Sequence, residues 1–594
     1  MTRLYGDPDR FVEEALEGLV LAHPGELRRV DGGVIRRHPI APGHVAVVIG
    51  GGSGHYPSFA GLVGPGLAAG AVCGNIFTSP SSGQAFRVAQ AAESGGGVLF
   101  SYGNYAGDVI HFGDAERRLR ESGVDARTVL VTDDIASAPL AEADRRRGIA
   151  GDLVVFRIAG AAADRGEPLD EVERLARHAN DRTHTLGVAF AGCTLPGSSE
   201  PLFTVPDGMM SVGLGIHGEP GIRDVPLQSV PELARTLLEP LLAERPEGAR
   251  SRVSVIVNGL GAVKYEELFV LFRHIAVELD AAGIEIVEPE CGELVTSLDM
   301  AGVSLTLFWL DAELEELWRA PAYTPAYRKG VVSAEQRLES ETAEPVHEDA
   351  GVATPPTESR SVPAASVEAA NWALRLISAA RSDIADEVEE LGRLDAVAGD
   401  GDHGVGMLRG LTAAADAADA ASAAVGLAAV LEVAGDAWSE RAGGTSGALW
   451  GAALRRIGAS LGDADAYTAA DVVAAAAAAL DGIIELGHAG VGDKTMVDAI
   501  IPFSETLAGA VDGGASLPSA LRRAADRARS AAVDTASLSP KLGRARPLAE
   551  RSVGHPDPGA VSFAIIVHAV AGEVAGETEA SWETAFTVTD EGSA

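Results

Sequence analysis

The chain has 594 residues, of which 46% are hydrophobic and 22% charged, and its formal net charge is -38 at pH 7. That length exceeds one core and predicts three or four domains, while that charge excludes nucleic acid, whose phosphates need basic patches. Cys73, Cys193 and Cys291 form no CxxC pair, and Met1 to Leu21 carries five acids; reduced thiols in a cytoplasm, no signal peptide and no membrane span are expected.

Asp7-Pro8-Asp9 ahead of Arg10 to Leu21 predicts a capped amphipathic helix. Val45 to Ile49 is a β-branched run that empties into Gly50-Gly51-Gly52-Ser53-Gly54-His55, and strand-exit glycine loops are where α/β domains hold ligands. GxGxxG is not completed, His55 stands where a nucleophile elbow needs glycine, and no P-loop lysine follows. The loop lets a group approach the backbone; a tight turn with a surface histidine is the plainer alternative.

Gly97 to Phe100, Thr128 to Val131, Leu153 to Arg157 and Thr185 to Ala189 read as strands alternating with helices, the rhythm of an α/β sheet. Asn104-Tyr105-Ala106-Gly107-Asp108 places an acid on a strand-exit loop. Around Pro196 the pattern changes, so a break between two α/β subdomains is expected near 190–200. Gly213 to Gly221, with His217 and Glu219, is a third glycine-flanked segment, and strands near Val253 to Val257 and Ser304 to Trp309 complete a second block.

From 333 to 366 Glu, Pro, Ser, Thr and Ala dominate, which predicts an extended acidic linker between a first half, 1–332, and a last domain, 367–594. Alanine-rich stretches such as Asp471 to Leu480 and Ser519 to Ser530 make that domain all-α, with Thr468 and Asp471 able to form a capping box. Within it, Asp395, Asp400 and Asp402 place three carboxylates on a glycine-bent loop. Like charges held close call for a hard divalent cation, and magnesium on carboxylate oxygens commonly also holds substrate phosphates. An Asx turn capping the next helix is the alternative. An EF-hand is excluded, because Leu411 or Ala413 falls where the closing Glu belongs. Gly443-Gly444-Thr445-Ser446-Gly447 can offer amides and hydroxyls to phosphate. Gly487 to Thr495 misses a P-loop, with Asp493 before Lys494 and no strand ahead.

Together GGGSGH, NYAGD, GIHGEPG, LDAVAGDGDHG, GGTSG, GDKT and GHPDPGA resemble the dihydroxyacetone kinase family over nearly the whole chain, in the fused order of its single-chain, ATP-using members. The resemblance implies a two-part α/β substrate-binding half followed by an all-α helical-barrel nucleotide-binding domain with ATP and Mg2+ as cofactors. It makes Asp395, Asp400 and Asp402 the metal ligands. His403, Gly404, Thr445, Ser446, Gly487, Met496, Arg544, Asp557, Pro558 and Gly559 fall at nucleotide positions. His217 matches the residue that holds a short ketose as a hemiaminal, and His55 and Asp108 match the polar pair at the reacting hydroxyl, beside Gly52, Ser53 and Gly54. Glu219 is placed to orient His217. A homodimer is implied.

Two departures bear on substrate. Tyr56 stands where many members have Glu, and Gly103 stands where bacterial dihydroxyacetone-binding subunits have a lysine. The second removes a long cation and is expected to open space, which tilts the reading from dihydroxyacetone to erythrulose. The alternatives are a phosphotransferase-system enzyme with ADP as a fixed cofactor and a non-catalytic ketose-binding protein.

Overall fold

The computed structural model describes residues 4–219, 221–332, 362–399, 401–422, 425–542 and 549–576. The chain divides into two compact units, Met1–Val346 and His347–Ala594. The linker expected over 333–366 lies outside the described residues as far as Ser361.

The first unit is built on two sheets. One has strand order β1 (Leu27–Val30), β2 (Gly33–Arg36), β4 (Gly70–Ile76), β3 (Ala46–Ser53), β5 (Val98–Gly103), β6 (Ala126–Val131). Its strands β4, β3, β5 and β6 run parallel, and helix α1 (Phe11–Ala22) precedes it as expected. Parallel strands are covered on both faces: Val47 and Ile49 of β3 lie in one core with α4 (Asp152–Asp164) and α5 (Leu169–Asp181), and Ala46 and Val48 in another with α2 (Ser82–Ala92) and α3 (Ala106–Glu121).

Three expectations are corrected here. Leu153 to Arg157 is not a strand but the buried start of α4, in which every residue from Leu153 to Ala163 is buried. A helix enclosed on all sides has no polar face, so its Val-Val-Phe run imitates a core strand. Gly50, Gly51 and Gly52 are not loop but the end of β3, paired with Val72, Cys73 and Gly74 of β4. A Cβ on Gly50 would fall 2.6 Å from the Val72 carbonyl oxygen, so the glycines serve strand packing as well as the site. The change of sheet falls before 190–200: β7 (Thr183–Ala191) already pairs with β13 (Ala301–Trp309) of the second sheet. That sheet runs β11 (Glu285–Ile286), β10 (Arg252–Gly259), β13, β7, β8 (Met209–Val212), β9 (Arg223–Pro226), with β12 (Glu290–Gly292) pairing β10. Helices α6 (Val230–Ala243) and α7 (Tyr265–Ala281) cover one face, and α8 (Ala312–Trp318) packs on α4.

The second unit is helical in all its described elements: α9 (Ala364–Asp386), α10 (Val388–Asp395), α11 (His403–Ser422), α12 (Leu427–Ala442), α13 (Gly444–Leu461), α14 (Ala469–Gly487), α15 (Val497–Asp512), α16 (Leu517–Asp534) and α17 (Pro558–Gly576), besides single turns. From α11 onward each long helix packs on the next, and α17 packs on α16 and back on α9. Alanine lets these helices approach closely around Met407, Leu411, Trp438, Trp450, Phe503 and Phe563. The capping box forms: Thr468 Oγ1 accepts from Asp471 N–H at 3.3 Å and Asp471 Oδ2 from Thr468 N–H at 2.7 Å. Contrary to expectation, α17 is long and apolar enough, by length and composition, to cross a membrane. Its Ala560, Phe563, Val567 and Val574 are instead spent in the helical core.

Candidate functional site

In the first unit the site forms at the carboxyl ends of β3 and β5, where a parallel sheet opens to ligand. Gly54 takes a positive φ of 106°, and a Cβ there would fall 2.7 Å from the Phe77 ring. Gly52 is as crowded, its Cβ direction lying 2.6 Å from Thr78 N, while Ser53 accepts Phe77 N–H at 2.9 Å. This tight end of β3 delivers His55, which is buried.

His55 and His217 are brought together, with their Nε2 atoms 3.0 Å apart and the rings edge to face. His55 Nδ1–H donates to the Thr296 carbonyl at 2.7 Å, and His217 Nδ1–H donates to Glu219 Oε1 at 3.1 Å. Both Nδ1 atoms thus carry hydrogen, so a bond between the Nε2 atoms requires one further proton shared by the pair. Burial, then the neighbouring His217, push the His55 ring down to about 3. Burial alone would push the Glu219 carboxyl up, but the His217 ring and Arg147 outweigh it and hold Glu219 well below the carboxylate range.

Asp108 lies in the first turn of α3, buried, with Oδ1 lacking a hydrogen-bond partner. Burial pushes it up to about 7, although the Ser79 hydroxyl opposes the shift. Asp108 follows the carboxyl end of β5, at the same sheet edge as His55, whereas His217 comes from the segment between β8 and β9 of the second sheet.

Further residues complete the site. Phe77 stacks on His55 at 5.0 Å, and the Tyr105 ring meets His217 edge-on at 4.6 Å. The loop at 296–298 ties the two histidine segments: Thr296 holds His55, Leu298 N–H donates to Gly54 O at 2.8 Å, and the Ser297 hydroxyl donates to Ile216 O. Two expectations change. Gly103 does not open space, because a Cβ there would lie 3.0 Å from the Tyr105 ring, which fills it. The Tyr56 ring lies against Gly61 and is 49% exposed, and it is not among the rings that meet His55 or His217.

In the second unit Asp395 ends α10, and its Oδ2 accepts Gly401 N–H at 2.9 Å and His403 N–H at 3.4 Å. Burial raises Asp402, and the Asp395 charge adds to the rise. Burial also pushes Asp557 up to about 7, with Asp498 and Asp395 contributing. Asp557 Oδ1 caps α17 by accepting Ala560 N–H at 2.8 Å, next to Pro558 and Gly559. His403 Nε2 lies 2.9 Å from Ser562 Oγ, and Met496 lies against Gly559, so His403, Met496 and the 557–559 turn share one place with the carboxylates.

Among the described residues no three metal-binding side chains converge ready-made; the third expected ligand, Asp400, lies outside them, as does Arg544. Hard carboxylate oxygens held this close, with the Asp395 charge raising Asp402 and Asp557, fit a hard divalent cation. Thr445 and Ser446 lie in the first turn of α13, a helix end whose dipole suits an anion, and Gly487 ends α14 beside Leu449. Gly404 is explained by packing, since a Cβ would meet the Val388 carbonyl oxygen at 2.2 Å. Lys494 is buried, and its amine donates to the carbonyls of Leu538 at 3.1 Å and Ser552 at 2.6 Å.

The comparisons agree with this layout. A family model described as the Dak1 domain matches residues 17–326, and one described as the DAK2 domain matches 397–572. The chain is 52% identical, over 97% of its own length and of the relative's, to an L-erythrulose kinase of Pectobacterium atrosepticum. It is also 52% identical, over 96% of its length and 98% of the relative's, to a D-erythrulose kinase of Mycolicibacterium smegmatis. A crystal structure of the dihydroxyacetone kinase from C. freundii in complex with AMP-PNP and Mg2+ matches with a TM-score of 0.51 and 29% identity, covering 96% of this chain and 99% of that one.

Proposed function

The chain belongs to the dihydroxyacetone kinase family, and we propose that it transfers the γ-phosphoryl group of ATP to a terminal hydroxyl of a four-carbon ketose, erythrulose. The observation that carries this reading is near-complete coverage, at 52% identity, by relatives named for both enantiomers of that sugar. The reading takes 1–332 as the ketose half, 333–366 as linker and 367–594 as a helical barrel for nucleotide, in a cytoplasmic homodimer. Fusion of both halves on one chain favours exchangeable ATP over a fixed ADP cofactor.

His217 Nε2 adds its lone pair to the ketone carbon, and the carbonyl π pair moves to oxygen. That oxygen takes the proton the two rings share, passed through His55. The His217 ring is left cationic, with its Nδ1–H on Glu219, so total charge is conserved. Only a carbonyl compound can be held this way, which discriminates against glycerol. With the His55 ring a weak base, Asp108 is the better acceptor for the hydroxyl proton as that oxygen attacks phosphorus. Asp395 and Asp402, with Asp400, would hold magnesium, which when bound neutralises phosphate charge. Thr445, Ser446, His403, Met496 and the 557–559 turn would seat the nucleotide.

The test is ADP release from ATP with dihydroxyacetone, D-erythrulose, L-erythrulose and glycerol. A higher kcat/KM for at least one tetrose than for dihydroxyacetone, and none for glycerol, is expected. A clear preference for dihydroxyacetone over both tetroses would overturn the substrate, and ATP-independent activity would overturn the donor.

A further inference from the structure

We propose that Arg147 is a positioning residue for covalent capture: it fixes Glu219 so that His217 presents Nε2 to the ketone. This rests on the reading of His217 as the residue that adds to the carbonyl. Arg147 itself is not placed to touch the reacting atoms.

Arg147 stands between two carboxylates. Its Nε and Nη2 both donate to Asp134 Oδ2, at 3.0 and 2.7 Å, and its Nη1 lies 3.7 Å from Glu219 Oε2. Asp134 is pinned in turn: its Oδ1 accepts Ala136 N–H at 3.0 Å and its own N–H donates to the Arg147 carbonyl at 3.1 Å. The guanidinium is thus anchored on one side, and its remaining edge is directed at Glu219. Gly215 makes this possible, because a Cβ there would fall 2.1 Å from Glu219 Oε2 and 2.7 Å from Arg147 Nη1. The acid and the base meet in space that any side chain would fill.

Glu219 commits both oxygens to His217: Oε1 accepts Nδ1–H, and Oε2 accepts the backbone N–H at 2.9 Å. Holding Oε2 from behind sets the carboxylate plane, and that plane aims the imidazole. Arg147 also lies between the charges of Asp134 and Glu219 and offsets part of them, in a pocket where an unmatched charge is costly. Lysine is a poor substitute, since a single ammonium cannot donate twice to Asp134 and still face Glu219. The Tyr105 hydroxyl, bonded to Gly148 O at 3.0 Å, lies close enough to feel Glu219, Arg147 and Asp134 but holds none of them.

The test uses the full-length enzyme with Arg147→Gln, Arg147→Lys, Glu219→Gln and the double variant Arg147→Gln/Glu219→Gln. Arg147→Gln should lower kcat/KM for the ketose by about 10- to 100-fold, mainly through the ketose KM, with the ATP KM unchanged. Arg147→Lys should lose less. Because Arg147 acts through Glu219, the double variant should be no worse than Glu219→Gln by more than about 2-fold. With ketose labelled at the carbonyl carbon, the tetrahedral 13C signal of bound substrate should fade in Arg147→Gln. Additive losses, an equal rise in the ATP KM, or an undiminished tetrahedral signal would each overturn the proposal. A trigonal signal in the wild-type enzyme would instead overturn the reading of His217, and this inference with it. Should Arg147→Gln not fold, Arg147→Lys carries the same cycle against Glu219→Gln.

Discussion

Tyr105 occupies the place a side chain on Gly103 would need: a Cβ built at 103 lies 3.0 Å from the Tyr105 ring, and that ring meets His217 with centroids 4.6 Å apart. Its hydroxyl is tied to Gly148 O at 3.0 Å, so the ring is held at both ends. Any residue larger than glycine at 103 must therefore move Tyr105 against His217. Gly103→Ala is expected to raise the ketose KM about 10-fold, the scale of a small misplacement in a reacting site, and to leave the ATP KM alone. Steady-state kinetics with each substrate varied in turn decide it. An unchanged ketose KM would remove Tyr105 from the substrate wall.

Asp108 links pH to both stability and rate. Burial raises its carboxyl to about 7, above the ordinary value of 3.8. Between those values the folded chain holds a proton that the unfolded chain has lost, so this group's contribution to stability falls as pH rises through that window and levels off above it. Asp108→Asn should flatten that slope. The variant's gain over wild type in thermal or denaturant unfolding should grow from pH 5 to 7, reaching a few kcal/mol at about 1.4 kcal/mol per unit. Turnover should move the other way, rising through pH 7 in wild type as the acceptor form appears. His55, neutral down to about 3, cannot supply that limb. A gain for the Asn variant that does not change with pH would defeat this assignment.

What could be read in the sequence were groups that a short segment brings together by itself. His55 follows its strand and glycines directly, and Glu219 lies two residues from His217, so backbone geometry alone joins them. Thr296 was not legible, because it contributes a main-chain carbonyl to a histidine 241 positions away and any residue type has that carbonyl. Arg147 was hidden among neighbouring arginines, since its role comes from Asp134 and Gly215 on other segments. The α4 error has the same origin in reverse: Leu153 to Arg157 carry a core pattern that helix and strand share when no face meets water.

Asp402 should be a liability without metal and an asset with it. Burial and the nearby Asp395 both resist its ionisation. Asp402→Asn is expected to match or exceed wild-type thermal stability in chelator, yet gain nothing from added magnesium, whereas wild type should gain. Turnover should fall by about 100-fold or more, as when a group that stabilises transition-state charge is lost. Ketose binding to the first unit should persist. A magnesium-dependent rise in melting temperature that survives in Asp402→Asn would remove this residue from the cation site.

Lys494 tests the difference between a motif and its use. The segment resembles a phosphate-binding loop, but the lysine is buried with a positive φ of 60°, and its amine serves two main-chain carbonyls, Leu538 and Ser552. Those carbonyls flank the turn that ends in Asp557, whose N–H donates to Thr535 Oγ1 at 2.8 Å. Lys494→Met should leave the Leu538 carbonyl without this donor and the Ser552 carbonyl with only His555 N–H, at about 1–3 kcal/mol in all. Chemical denaturation should therefore show the helical unit weakened. The ATP KM should rise no more than the displaced Asp557 turn explains, a rise that Asp557→Asn already produces alone. If Lys494→Met kept full stability and raised only the ATP KM, the amine would be a phosphate ligand after all. In that case the carbonyl contacts would describe only its resting position.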